Sequence, residues 1–361
     1  MENENKIKSI SNTKNNFYEN DKNQELIINN ICFCKTYFSY NKEKLSLLLP
    51  CSHFVHEKCI NEYLYSNVLI IKNLLNKIEC PICKKNVEDI IPEDKIKKDK
   101  KINQYKIDLE SVKLPDSGFL NYISLPFTVL KINTFLNKLI ISETEKDLLD
   151  TLEIFFRSAN IKINIIDNTQ KNPIKFINNK IEWKRKIDNL CNKVLISNHS
   201  HYLDAFVLYY LFKSGFVASE FINKSDIGRI IASKCNLLIF DRSKDTNMVE
   251  KIKKYLQEQK IITIFPEGAQ CNQNTLLRFR TGAFYTDAPV CPIIIKYNPF
   301  IWDDDIKNLI FKIFTQNLIN IDVIINDMVY PPFNTEKIND VRNFMGKVGN
   351  IKLSRVSNKA N

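Results

Sequence analysis

The chain has 361 residues, 44% of them hydrophobic and 26% charged, with only 7 Gly and 12 Pro. These proportions exclude disorder throughout and any collagen-like or Gly-rich architecture, and the length allows two or three domains of roughly 100–200 residues each. Lys and Arg total 52 against 41 Asp and Glu, a formal charge of +11. That charge suits anionic headgroups or coenzyme phosphates, whereas no basic stretch is interleaved with stacking aromatics and nucleic acid is not an expected partner.

Residues 1–30 are Asn-rich and charged with little periodicity, and read as a flexible lead-in. They show no apolar stretch of the kind a secretory signal needs, so a reducing compartment is expected, where clustered Cys mean metal more often than disulfide. Six of the ten Cys lie between Cys32 and Cys83 and mark a compact block at 31–85. Residues 86–116 read as a charged linker whose run Lys95-Ile96-Lys97-Lys98-Asp99-Lys100-Lys101 could touch an anionic membrane surface. Residues 117–142 are apolar, but Lys131 interrupts them too early for a simple span, which points to an interfacial or re-entrant segment.

Residues 143–345 form the next expected domain, followed by a tail at 346–361. Short β-branched runs at 161–166, 193–197, 236–240, 261–265, 290–297 and 320–325 read as strands. A buried helix at 205–213 and an amphipathic one marked by Val249, Ile252, Tyr255 and Leu256 lie between them. The alternation predicts an α/β fold with helices on the faces of a sheet.

The metal-ligand candidates are Cys32, Cys34, Cys51, His53, His56, Cys59, Cys80 and Cys83. Eight thiolate and imidazole donors at short spacings suit two tetrahedral zinc sites. The run Cys51-Ser52-His53-Phe54-Val55-His56-Glu57-Lys58-Cys59 with Cys80-Pro81-Ile82-Cys83 resembles a RING finger of the two-histidine kind. The resemblance implies interleaved ligands, with Cys32, Cys34, His56 and Cys59 at one zinc and Cys51, His53, Cys80 and Cys83 at the other. It also implies a groove for a ubiquitin-conjugating enzyme at the positions of Phe33, Tyr63 and Pro81, and an activating cation at Lys84 or Lys85. The first pair departs from the family in having one residue between its Cys where two are usual. A zinc scaffold without ligase activity is the alternative.

Strand 193–197 runs into Asn198-His199-Ser200-His201-Tyr202-Leu203-Asp204. Five residues on a regular helix separate side chains by roughly 140°, so His199 belongs in the turn after the strand and Asp204 on the first turn of the next helix, reaching back. The pair forms a carboxylate-oriented general base. Asp241-Arg242 and Pro266-Glu267-Gly268 follow two further strand ends, where α/β sheets place ligands.

Together N-H-x4-D, F-D-R, F-P-E-G and Ala288-Pro289-Val290-Cys291-Pro292 resemble the glycerolipid acyltransferases, the family of 1-acylglycerol-3-phosphate and lysophosphatidylcholine acyltransferases. Asn272, Leu276, Phe279, Gly282-Ala283-Phe284 and Val329-Tyr330-Pro331-Pro332 with Glu336 are most similar to the branch acting on lysophosphatidylcholine and lysophosphatidylethanolamine. The resemblance implies an acyl-CoA-dependent lysophospholipid acyltransferase in which His199 deprotonates the acceptor hydroxyl and Asp204 orients the imidazole. It further implies that Arg242 binds the acceptor phosphate, that Glu267 and Gly268 position the acceptor, and that Pro289 and Pro292 shape the acyl-CoA side. Ala269 stands where the family usually has Thr, and His201 is a rival base. The segment 117–142 sits where the family carries its membrane-associating stretch, a core helix pair being the alternative. An intracellular membrane, the endoplasmic reticulum with the protein facing the cytosol, is the expected location. A second function class is a membrane-associated ubiquitin ligase whose acyltransferase fold only binds lipid.

Overall fold

The computed structural model describes residues 26–27, 32, 34, 44–49, 51–71, 78–98, 103–112, 125–169, 174–177, 192–220, 222, 229, 232, 234–235, 237–240, 247–258, 260–303 and 306–357. It divides into two units, Met1–Leu114 with Leu353–Asn361, and Pro115–Lys352.

The smaller unit is built on β1 (Leu45–Leu49), which pairs antiparallel with β2 (His53–His56) on one side and β3 (Asp89–Pro92) on the other. All five β1 residues are buried, which explains a run of four Leu around Ser46 with no polar alternation. Helix α1 (Glu57–Ile71) follows β2, and α2 (Glu93–Lys98) and α3 (Asn103–Val112) follow β3. Glu93 is buried and accepts the Leu45 N–H at 2.9 Å.

Buried Asp108 on α3 gathers the C-terminal segment. It accepts from the Ser354 hydroxyl at 2.9 Å, the Arg355 N–H at 2.9 Å, and the Arg355 guanidinium at 3.2 and 3.3 Å. Leu26–Ile27 pairs in parallel with Val356–Ser357. Two expectations are corrected here. The charged stretch 86–116 is not a linker, since it carries β3, α2 and α3, whose Ile91, Ile96 and Leu109 are buried. The stretch 346–361 is not one tail: its first residues end a helix of the larger unit and residues from Leu353 onward belong to the smaller one. Apart from Leu26–Ile27, the lead-in 1–30 lies outside the described residues.

The larger unit opens with α4 (Leu125–Ile141) and α5 (Glu145–Ser158). Thr144 and Asp147 cap α5 reciprocally, the Asp147 N–H donating to the Thr144 hydroxyl at 3.1 Å and the Thr144 N–H to the Asp147 carboxylate at 3.0 Å. Then come β4 (Ile161–Asp167), β5 (Ile174–Ile177), β6 (Val194–Ser197), α6 (Leu203–Phe212), β7 (Gly215–Ser219), β8 (Leu237–Phe240), α7 (Met248–Gln257), β9 (Ile262–Ile264), β10 (Val290–Asn298), α8 (Ile306–Phe314), β11 (Ile319–Ile325) and α9 (Thr335–Gly349). The eight strands form one sheet in the order β5-β4-β11-β10-β6-β9-β7-β8. Strands β10, β6, β9, β7 and β8 are mutually parallel, so their C-termini share one edge.

The six strands expected from β-branched runs are all present. Two more, β5 and β7, were not expected; β7 opens on Gly215, separated from the end of α6 by two residues, and has only five residues. Helix α4 buries Ile132, Phe135 and Leu139 against α5 and α8, with Phe155 lying 4.6 Å from Phe135 and 5.5 Å from Phe314 between ring centroids. Its Val129, Leu130, Ile140 and Ile141 are exposed. Among the described residues, no helix is long and apolar enough to cross a membrane.

Candidate active site and metal centres

Register fixes the catalytic edge. Ile264 of β9 pairs with Ile196 of β6, so the turn carrying His199 and the turn carrying Glu267 leave the sheet side by side. Asp204 sits on the first turn of α6 and is fully buried. Its Oδ2 accepts from His199 Nδ1 at 3.0 Å, from the Ser200 N–H at 2.8 Å and from the His201 N–H at 2.9 Å. An ionised carboxylate only accepts, so the proton sits on Nδ1 and Nε2 carries the basic lone pair. The His199 side chain is 21% exposed, and its ring stacks on Phe265 at 4.1 Å and 17°. The arrangement has one nitrogen oriented and the other available, the geometry a general base requires.

The rival base is excluded. His201 is buried, with Nδ1 accepting the Leu203 N–H at 3.0 Å and Nε2 donating to the Ile301 carbonyl at 2.8 Å. Burial pushes its pKa down to about 4. Both nitrogens are engaged and the ring stays neutral.

Glu267 has both carboxylate oxygens engaged by donors from the protein. It is fully buried, and its Oε1 accepts the His199 N–H at 2.8 Å. The other oxygen accepts the Leu277 N–H at 2.8 Å and the Cys271 thiol at 2.9 Å. The Cys271 N–H returns to the His199 carbonyl at 2.9 Å. Glu267 is therefore a brace that locks the His199 backbone to the loop 271–277, and burial raises its pKa to about 7 against the pull of these donors. Gly268 has φ +69°, and an added Cβ would lie 2.6 Å from Arg280 Nε. The close approach that glycine permits here is that of the Arg280 side chain.

Pro289 precedes β10, which runs parallel to β6, and so lies at the end of the sheet opposite His199. Pro292 is buried within β10, and its carbonyl accepts the Asn326 N–H at 3.2 Å and the Asn326 amide at 3.0 Å. Arg242 lies outside the described residues; β8, which leads to it, ends on the catalytic edge. Tyr297 was not anticipated, yet its hydroxyl donates to Asp204 Oδ1 at 2.5 Å. No spacing rule signals a residue 93 positions from its partner.

In the smaller unit, the eight candidate ligands form two groups: Cys32, Cys34, His56 and Cys59, and Cys51, His53, Cys80 and Cys83, each with its ligand atoms within 4.8 Å of one another. The strand β2 carries one histidine for each group at its two ends, which is what makes the groups interleave. Zinc–sulfur bonds of about 2.3 Å and zinc–nitrogen bonds of about 2.0–2.1 Å at a tetrahedral angle place sulfur and nitrogen about 3.6 Å apart. His56 Nδ1 lies 3.4 Å from Cys34 Sγ and 3.8 Å from Cys59 Sγ, and His53 Nδ1 lies 3.6 Å from Cys80 Sγ. The donor set and these spacings fit two zinc ions, and the shortened first pair closes as well as the second. Tyr63 and Pro81 are partly buried and Lys84 and Lys85 exposed, while Phe33 lies outside the described residues.

Residues 180–296 match the family model described as Acyltransferase. The chain is 31% identical to Lysophospholipid acyltransferase LPEAT1 of Arabidopsis thaliana over 188 residues, 45% of this chain and 46% of the relative. It is 28% identical to LPEAT2 of the same plant, covering 41% of this chain and 29% of the relative. With Glycerol-3-phosphate acyltransferase 3 of Mus musculus it shares 30% identity, over 34% of this chain and 30% of the relative. The chain thus spans less than half the length of these relatives. The crystal structure of the 1-acyl-sn-glycerophosphate acyltransferase PlsC from Thermotoga maritima aligns over 69% of this chain and 96% of that one, with a TM-score of 0.40 and 15% identity. The segment that holds the dyad is similar to acyltransferases of glycerolipid metabolism. The family match does not extend to the Cys/His groups.

Proposed function

We propose that this protein is an acyl-CoA-dependent lysophospholipid acyltransferase of phospholipid synthesis or remodelling. The observation that carries the reading is the His199–Asp204 pair at the strand edge, inside the segment that matches the acyltransferases. His199 Nε2 takes the proton from the free hydroxyl of the lysophospholipid, whose oxygen attacks the thioester carbonyl of acyl-CoA. The tetrahedral intermediate collapses with cleavage of the carbon–sulfur bond, the new ester remains on the lipid, and the imidazolium returns its proton to the departing CoA sulfur. Asp204 stabilises the imidazolium. Arg242 binds the acceptor phosphate, for which a guanidinium fork is suited, and Glu267 acts through the His199 backbone.

The protein works at an intracellular membrane, the cytosolic face of the endoplasmic reticulum. The exposed Val129, Leu130, Ile140 and Ile141 of α4 support contact with the membrane surface, while the packed face of that helix supports a segment lying on the bilayer.

The test is turnover of labelled acyl-CoA with a panel of lysophospholipids. Wild-type protein forms product, and His199→Ala lowers kcat by about 10²–10⁴-fold with unchanged folding and zinc content. Folded wild-type protein that forms no product with any acceptor overturns the proposal.

The two interleaved ligand groups favour a second reading for the smaller unit alone. There two structural zinc ions hold a RING-type module that engages a ubiquitin-conjugating enzyme.

A further inference from the structure

Asp204 has two carboxylate oxygens, and the dyad uses one of them. Oδ2 takes all three N–H donors of the turn, namely His199 Nδ1, Ser200 N and His201 N. The other oxygen, Oδ1, is buried with the rest of the side chain and receives the Tyr297 hydroxyl at 2.5 Å. Rotation about the terminal torsion of a carboxylate is soft, so a carboxylate held at one oxygen can swing, and one held at both cannot. A short O–H···O⁻ bond in a buried site is among the stronger hydrogen bonds available.

Tyr297 is itself held for this contact. Strand β10 pairs with β6 only as far as Ile293 opposite Ser197 and then runs on beyond the catalytic edge. Past that point two side-chain amides take the place of the missing strand. Asn198, directly before His199, donates to the Ile295 carbonyl at 3.0 Å and accepts the Ile295 N–H at 2.8 Å. Gln273 donates to the Tyr297 carbonyl at 3.2 Å and accepts the Tyr297 N–H at 3.0 Å. The other edge of β10 is paired with β11, Tyr297 opposite Ile321. The His201 ring packs on the phenol at 4.8 Å between centroids.

We propose that Tyr297 is a positioning residue of the catalytic base, pinning the second oxygen of Asp204 so that the carboxylate keeps His199 in its reactive tautomer and orientation. The inference rests on the proposed acyl transfer, deepens it by one residue, and places in the same network the end of β10 that lies beyond the Ala288–Pro292 motif.

The experiment compares wild type, Tyr297→Phe and Tyr209→Phe with labelled acyl-CoA and the best lysophospholipid of the panel. Tyr209 is an equally buried phenol on α6 and controls for loss of a core hydroxyl. Tyr297→Phe is expected to lower kcat about tenfold with KM within twofold of wild type, while Tyr209→Phe keeps kcat. An unchanged kcat in Tyr297→Phe, or an equal loss in both variants, overturns the inference. Absence of turnover in folded wild type overturns instead the acyl-transfer reading on which it rests.

Discussion

In the smaller unit, the candidate ligands come from a stretch of about fifty residues and are brought together by one hairpin, β2 supplying a histidine to each group. In the larger unit, the groups that orient one histidine come from a helix turn, a loop and a strand far apart in the chain, with Glu267 meeting the His199 backbone across 68 residues and Tyr297 meeting Asp204 across 93. The first arrangement, with zinc bound, would concentrate stability in a few strong bonds to metal. The second distributes it over a buried network in which each group is fixed by sheet register. The smaller unit should therefore fail abruptly when its metal is removed, and the larger one gradually, hydrogen bond by hydrogen bond.

The largest effect follows from chelation. Structural zinc in small domains contributes roughly 10–16 kcal/mol of apparent binding energy to folding. Full-length protein should contain two zinc ions, and stripping them should abolish both the unfolding transition of the smaller unit and any discharge of ubiquitin from a loaded conjugating enzyme. The transition of the larger unit should persist. One zinc per chain, or an intact smaller unit after stripping, would break the contrast.

A middle-sized effect concerns Glu267. Its folded pKa of about 7 lies above its ordinary 4.5 because burial penalises the charged form. A carboxyl raised in this way adds stability that is fully present below the unfolded value and is lost as pH climbs towards the folded value. The loss between pH 4.5 and 7 amounts to about 3 kcal/mol. Glu267→Gln cannot titrate, so the difference in melting between variant and wild type should change across that window and level off above it. A flat difference would show that Glu267 does not ionise there.

The smallest effect is expected at Arg355. Arg355→Gln removes two guanidinium contacts from Asp108 but leaves those of Ser354 and the Arg355 N–H. The smaller unit should lose about 1–2 kcal/mol in urea, with the transition of the larger unit unmoved. Loss in the larger unit instead would place residues 353–357 with the wrong partner.

What could be read from the sequence follows the same contrast. The pairing of Cys32 and Cys34 with His56 and Cys59 was legible only through the resemblance to a RING finger, since Cys34 and His56 lie 22 residues apart, whereas His199 with Asp204 was legible because a turn followed by one helical turn connects them. Glu267 was visible as part of a turn, but its role as a brace was not, since the donors it serves are set by the pairing of β6 with β9. Tyr297 carries no motif and is selected by how far β10 outruns β6. The stretch 86–116 misled because a high charge density hides the single buried positions Ile91, Ile96 and Leu109 on which its short elements turn.

The Asp108 hub has a consequence for biosynthesis. Its donors, Ser354 and Arg355, are separated from it by the whole larger unit, so during translation the carboxylate is made long before the groups that satisfy it. At about 5–20 residues per second, the delay is on the order of ten to fifty seconds. Throughout that interval α3 holds a charged side chain without its clamp, and Leu26–Ile27 lacks the strand it pairs with. Zinc capture by the ligands between Cys32 and Cys83 would not need to wait, which would make the metal the first fixed point of the nascent chain and the closing strand the last.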